Sequence, residues 1–442
     1  NKQKEYTEKW EELENLTTRD GFNEVFTHTR MIFAKTKAQK TLLEEFRSIV
    51  MKNRSPEDVI DKIIEPYSEM YLILKNHNYV ASRSADKING YIVWLNRIDF
   101  SDWMPVAMKF FAEHKDDSEY ILWFVQKLER LSAFLHITAR DVNKRIDRYG
   151  IILREMDNRP QHNLNNKLDS IELSNEEKKA FLKALNDDIY DLTSRRRNYV
   201  IQRLDSFVSD GAASYDAAVL TIEHVLPQTV AAGSEWEQLW PDATVRDMWL
   251  NRIANLVPLT RKHNSAAQNY DFAKKKETYF KSKNNGTTSY ALTTQVLNVA
   301  SWTLTIVEQR QKALLDAFKK HWDLDYIEDQ QTTSFVGDNS VLMLRNSSND
   351  AQLKITSDGY VLLKGSAINE KTSVASIGSS VAAKRAKYME TSVRDLKTTE
   401  DIIFTSSSAA SDFVTGYSTS GLAYWMDKDG KTLKEILEQK EQ

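Results

Sequence analysis

The chain has 442 residues, room for roughly two to four domains, and its hydrophobic fraction of 41% marks an ordinary globular protein rather than a disordered one. No apolar run approaches the ~20 residues a membrane-spanning helix needs, and the absence of cysteine excludes disulfides, thiol nucleophiles and thiolate zinc sites. A formal net charge of −3 excludes nucleic-acid binding by bulk charge, so any such binding requires a local basic surface.

The opening Asn1-Lys2-Gln3-Lys4-Glu5 has no signal-peptide character and no initiating Met, which predicts a fragment of a longer, cytoplasmic protein. Residues 1–205 read as successive helices, a scaffold or coupling region. Ser55-Pro56-Glu57-Asp58 is an N-cap followed by proline at the first helical position, and Val59, Ile60, Ile63 and Ile64 repeat with helical period behind it. Tyr120 to Ile137, with Trp123, Phe124, Leu128, Leu131, Phe134 and Leu135, predicts a buried helix of a bundle, on which His136 is a core residue. Ser174 and Glu177 form a capping box.

The texture changes near Ser206. Ala217 to Leu226 reads as a short strand stopped by Pro227, Ile253 to Leu259 as a second strand, and Thr260 as the start of a helix. Tyr290 to Lys319 is helical again. Residues 206–322 are therefore read as one domain and the Gln/Thr-rich 323–339 as a linker. From 340 to 442 short β-type runs (Val341 to Leu344, Leu353 to Thr356, Tyr360 to Leu363) surround the turn Ser357-Asp358-Gly359, and a helix begins at Thr432. The expected fold is α+β and multi-domain: a mainly helical N-terminal bundle, a ββα centre and a small C-terminal α+β domain.

Chemistry concentrates in Thr221-Ile222-Glu223-His224-Val225-Leu226-Pro227-Gln228 and in Asn251-Arg252-Ile253-Ala254-Asn255, which runs on through Leu256 and Pro258 to His263-Asn264-Ser265. An acid–His pair at a strand end, followed by an amide or imidazole on a helix, is what a single-metal phosphodiesterase needs. The cation must contact a phosphate oxygen, and a separate group of near-neutral pKa must deprotonate the attacking water. Without thiolates, the oxygen-rich ligand set suits Mg²⁺ or Mn²⁺. Neighbouring strand residues face opposite sides, so Glu223 and His224 share one site only if the strand ends or bends there, which Pro227 favours.

This passage resembles the ββα-metal (His-Asn-His, HNH) nucleases, and more closely the C-terminal nuclease region of GmrSD-type modification-dependent restriction proteins. The resemblance rests on Glu223-His224-Val225-Leu226-Pro227-Gln228, Ala254-Asn255-Leu256, Asn264-Ser265, Asn269, Phe272 and Lys275 and covers about residues 195–285. It implies a metal-dependent DNA endonuclease acting in restriction or phage defence. His224 would be the general base, Glu223 and Asn264 metal ligands (His263 the alternative to Asn264), and Asn255 the residue that orients the base. It also implies an N-terminal nucleotide-dependent domain absent from this chain or supplied by a partner subunit, and DNA, including modified phage DNA, as partner, with no membrane. Residues 340–440 resemble a small accessory domain of restriction-type and GIY-YIG nuclease proteins.

Arg261, Lys262, Lys274, Lys275 and Lys276 supply a local basic excess that could neutralise phosphates. In the accessory domain Lys364, Lys384 and Arg385 could do the same. Trp236, Trp240 and Trp249 are expected to form a local core rather than to stack on bases. No GxxxxGK[ST] phosphate loop occurs. Two rival readings stay open: a non-catalytic module that senses modified DNA, and an RNA nuclease with the same centre.

Overall fold

Ser55 accepts a hydrogen bond from the Asp58 amide at 3.1 Å, and Pro56 opens the helix behind it. That helix widens into a π-turn over Ile60–Ile64 and continues as Glu65–Asn76. Val59, Ile60, Ile63 and Ile64 are all buried, as the period predicts. In this computed structural model residues 2–209, 220–260, 270–277, 290–326, 341–345, 349–356, 359–373, 379–404, 407–417 and 419–438 are described. The architecture is α+β with helices dominant.

The helix Ser118–Ile137 starts at Asp117, whose carboxylate caps the Tyr120 amide, and from Leu128 onward every residue is buried. A polar group buried in such a helix costs free energy unless it is paired. Glu129 is fully buried and receives Tyr199 Oη at 2.7 Å, Arg203 Nε at 3.1 Å and Trp322 Nε1 at 2.8 Å. These three belong to the helices Ser194–Val208 and Leu304–Trp322, so one carboxylate ties three helices together. His136 is buried as expected, 2.9 Å from Asp99. The capping box at Ser174 and Glu177 forms and opens the helix Asn175–Asn186.

The chain divides into two compact units, Asn1–Tyr326 and Ile327–Gln442. Within the first, the main core runs from Val25 to Leu324 and takes in residues of both the helical region and the segment after Ser206, with a smaller cluster around Phe22, Phe46 and Ile64. No core boundary falls at 205/206. The expected linker lies mostly outside the described residues. Among the described residues of this unit the sheet has two antiparallel strands, β1 (Leu220–His224) and β2 (Leu256–Thr260), with Ile222 opposite Pro258 and His224 opposite Leu256. The run Tyr290 to Lys319 is two helices, Ala291–Leu297 and Leu304–Trp322. Trp302, in the break between them, is fully buried.

The second unit holds an antiparallel sheet of β3 (Val341–Arg345), β4 (Asp350–Thr356), β5 (Gly359–Leu362) and β8 (Ile402–Phe404) in that order, and the β6–β7 pair (Val393–Arg394 with Lys397–Thr398). Ala351, Leu353 and Ile355 alternate inward along β4. Arg385 is buried, and its guanidinium is used by the Phe413 carbonyl (2.8 Å), the Asn369 carbonyl and Thr372 rather than offered to phosphate. Thr432 caps the closing helix Leu433–Glu438 through Glu435.

Candidate functional site

Strand β1 stops at His224 because the chain leaves the ladder there. The Val225 amide donates to the Asn255 carbonyl at 2.9 Å, and Asn255 sits in a 3₁₀ turn, Ile253–Asn255, where the sequence predicts strand. The turn closes by an Asn255 amide to Arg252 carbonyl bond of 2.9 Å, so β2 begins only at Leu256. The fully buried Asn255 carboxamide then fastens the strand exit. Its Oδ1 accepts the Leu226 amide at 2.7 Å and Trp302 Nε1 at 3.1 Å. Its Nδ2 donates to the carbonyls of Leu226 at 3.1 Å and Leu250 at 2.8 Å. Asparagine is the residue type that can donate and accept on one backbone unit at once.

Glu223 and His224 are 8% and 7% exposed, so each shows only an edge to solvent. Lys275, itself 1% exposed, donates to Glu223 Oε1 at 3.0 Å and to the His224 carbonyl at 2.7 Å. Burial pushes the Glu223 carboxyl above its ordinary range and the Lys275 ammonium below its own, each offset by the other's charge. The carboxylate is thus under-compensated for its lost water, a condition that favours an additional cation.

His224 Nε2 lies 2.9 Å from Asn251 Oδ1, and Asn251 Nδ2 donates to Asp188 Oδ2 at 3.0 Å. A carboxylate accepts only, so Asp188 turns the Asn251 amide nitrogen toward itself and the amide oxygen toward the imidazole. The proton of neutral His224 is therefore assigned to Nε2, and Nδ1 carries the lone pair. The Tyr190 ring lies 4.8 Å from the imidazole and carries Arg197 3.8 Å over its own face. Burial holds the His224 pKa below its ordinary 6.5, with the Asn251 bond opposing. The β1 exit thus carries a neutral imidazole, a buried carboxylate on the preceding residue, and an amide that fixes the segment that follows.

Of the residues expected here, Glu223 and His224 end strand β1, and Asn255 fastens the segment that follows. Asn264, His263, Arg261, Lys262 and Asn269 lie outside the described residues, as does the helix expected from Thr260. Lys274 is exposed, with its ammonium 3.6 Å from the Tyr270 ring centre. Lys276 donates to the Val299 carbonyl at 2.7 Å. Lys275 differs from the expected phosphate contact, since its charge is spent inward. Trp236, Trp240 and Trp249 are buried, as expected of core. Sequence reasoning missed Asp188 and the role of Asn251. Asn251 stands in the quoted motif segment, whereas nothing local marks Asp188, which doubles as the cap of the turn Ile189–Asp191.

Residues 175–317 match the family model described as GmrSD restriction endonucleases, C-terminal domain, which includes every described residue of the site. Residues 342–437 match a domain of unknown function, DUF4357. No curated protein matches the chain.

Proposed function

We propose that the chain, whose residues 175–317 match the family model of GmrSD restriction endonucleases, C-terminal domain, is a metal-dependent DNA endonuclease of the HNH type, the effector part of a modification-dependent restriction system. The observation that carries this reading is the Asp188–Asn251–His224 chain, which leaves an unprotonated ring nitrogen on the last residue of a strand, next in sequence to Glu223.

Glu223 suits Mg²⁺ or Mn²⁺, because a buried carboxylate with one oxygen on Lys275 is a hard donor short of positive charge. Asn264, or His263 in its place, is the proposed second ligand. A bound divalent ion would polarise the phosphate and stabilise the leaving oxygen. The protein's own part follows from its donors. His224 Nδ1 accepts the proton of the attacking water, Asn251 and Asp188 hold the ring in that tautomer, and Asn255 keeps the loop from drifting. Exposed Lys274, with Arg261 and Lys262, contacts the backbone of the duplex. Neutral imidazole at physiological pH is the form a general base requires.

Supercoiled plasmid, and a single-stranded RNA of equal concentration, are incubated with the chain in Mg²⁺, Mn²⁺ or EDTA. Nicking or cutting of the plasmid only with divalent ion supports the reading. Binding of DNA with no cleavage favours the sensor alternative, and preferential RNA breakdown favours the RNA nuclease.

A further inference from the structure

A second group of chemistry-bearing side chains lies in the helical region, away from the β1 exit and unused by it. Glu113 and His114 end the helix Met104–His114, and His162 stands in the connection after Arg159. One ligand atom from each of the three falls within 4.8 Å of the others. His162 is 2% exposed, and its Nε2 is buried without a hydrogen-bond partner among the described residues, 3.8 Å from Glu113 Oε2. His114 Nε2 is buried without a partner too, and the two imidazole centres are 4.6 Å apart.

Two adjacent buried ring nitrogens with no partner ask for an explanation, because each forfeits its hydration. A hydrogen bond does not supply it, since 3.8 Å is too long. Donors that share a tetrahedral ion at bonds of about 2.0–2.1 Å stand roughly 3.3–3.4 Å apart; here the Glu113–His162 pair is at 3.8 Å and all three atoms lie within 4.8 Å, so a small closure brings them onto one ion. The His162 Nδ1 is 3.0 Å from Tyr120 Oη, and in the tautomer in which Nδ1 donates to that hydroxyl the Nε2 lone pair is free for an ion. Lys109 takes the other Glu113 oxygen at 2.5 Å, which fixes the carboxylate in its charged form. The carbonyl end of the helix adds negative potential at the same place.

We propose that Glu113, His114 and His162 form a binding site for a transition-metal ion of the zinc class, with a fourth position open to water. Imidazole donors select such an ion over Mg²⁺, so this site and the oxygen-rich one at Glu223 take different metals. The ion pins the end of Met104–His114 to the loop that follows the helix Val142–Asn158.

The full chain, stripped with chelator and dialysed, is titrated with Co²⁺ and followed by visible absorption, then challenged with Zn²⁺. The expected result is saturation at a single equivalent with the bands of a four-coordinate nitrogen–oxygen site, bleached by Zn²⁺. His162→Gln and, in the half-buried position, His114→Gln should each weaken Co²⁺ binding at least about 100-fold, and Tyr120→Phe about 10-fold. His28→Ala, which removes a different buried imidazole, should leave it unchanged. Absence of the bands in the parent overturns the proposal even if no variant folds. Bands that persist in both histidine variants overturn it as well.

Discussion

Which ring nitrogen of His224 carries its proton is decided at Asp188, through one amide. That arrangement predicts a pH signature. Burial lowers the His224 pKa from 6.5, so the neutral base survives below that value. The acid limb of the cleavage profile should therefore fall below pH 6.5, activity being lost as pH drops through the lowered pKa. The Asn251 bond works against burial. Asn251→Ala should move the limb further toward acid while reducing the rate at every pH, because the ring loses its fixed tautomer. A limb left in place in the variant would refute the relay. At this scale the motif residues were readable in order. Glu223, His224 and Asn255 are named by sequence and lie at one strand exit. Asp188 was not readable, because 63 residues of chain separate it from its partner Asn251. Lys275 was readable as a cation but not as a buried one, since local basicity carries no information about which side of a helix the fold covers.

The β1 exit depends on a short turn rather than on a strand. Ile253–Leu259 is apolar throughout, and apolarity alone cannot separate a buried turn from a strand. What breaks the strand is the Asn255 carboxamide, satisfied on both atoms by Leu226, Leu250 and Trp302. Asn255→Ala strands a buried amide and carbonyl and leaves a small void. It should cost about 3 kcal/mol of stability and free the segment around His224. Urea unfolding checks the stability, and faster amide exchange at Val225 and Leu226 than at β2 checks the location. Elements with their own local signals were legible. The Ser55 and Ser174 caps and the strand at Leu353 to Thr356 appear where predicted, because each is set by residues within a few positions. The π-turn at Ile60–Ile64 and the break before Leu304 left no such mark.

Across the first unit, the helical region and the family-matched region share one core, and Glu129 is a knot within it. Glu129→Ala leaves Arg203 buried and unpaired and should cost about 3–5 kcal/mol. Differential scanning calorimetry should show the loss in the transition of residues 1–326, with the transition of the C-terminal unit unmoved. The Tyr326/Ile327 division falls in the polar stretch that composition alone had flagged, whereas the absence of a core boundary at Ser206 could not be read from composition, which reports texture and not contact.

The most direct test is the Mg²⁺-dependent nicking rate of His224→Ala beside the parent, at equal concentration and with matched circular dichroism. A general base contributes about 10²–10⁴-fold, so the variant should lose at least about 100-fold. Equal metal-dependent cleavage by both proteins would contradict the assignment of His224 as the base.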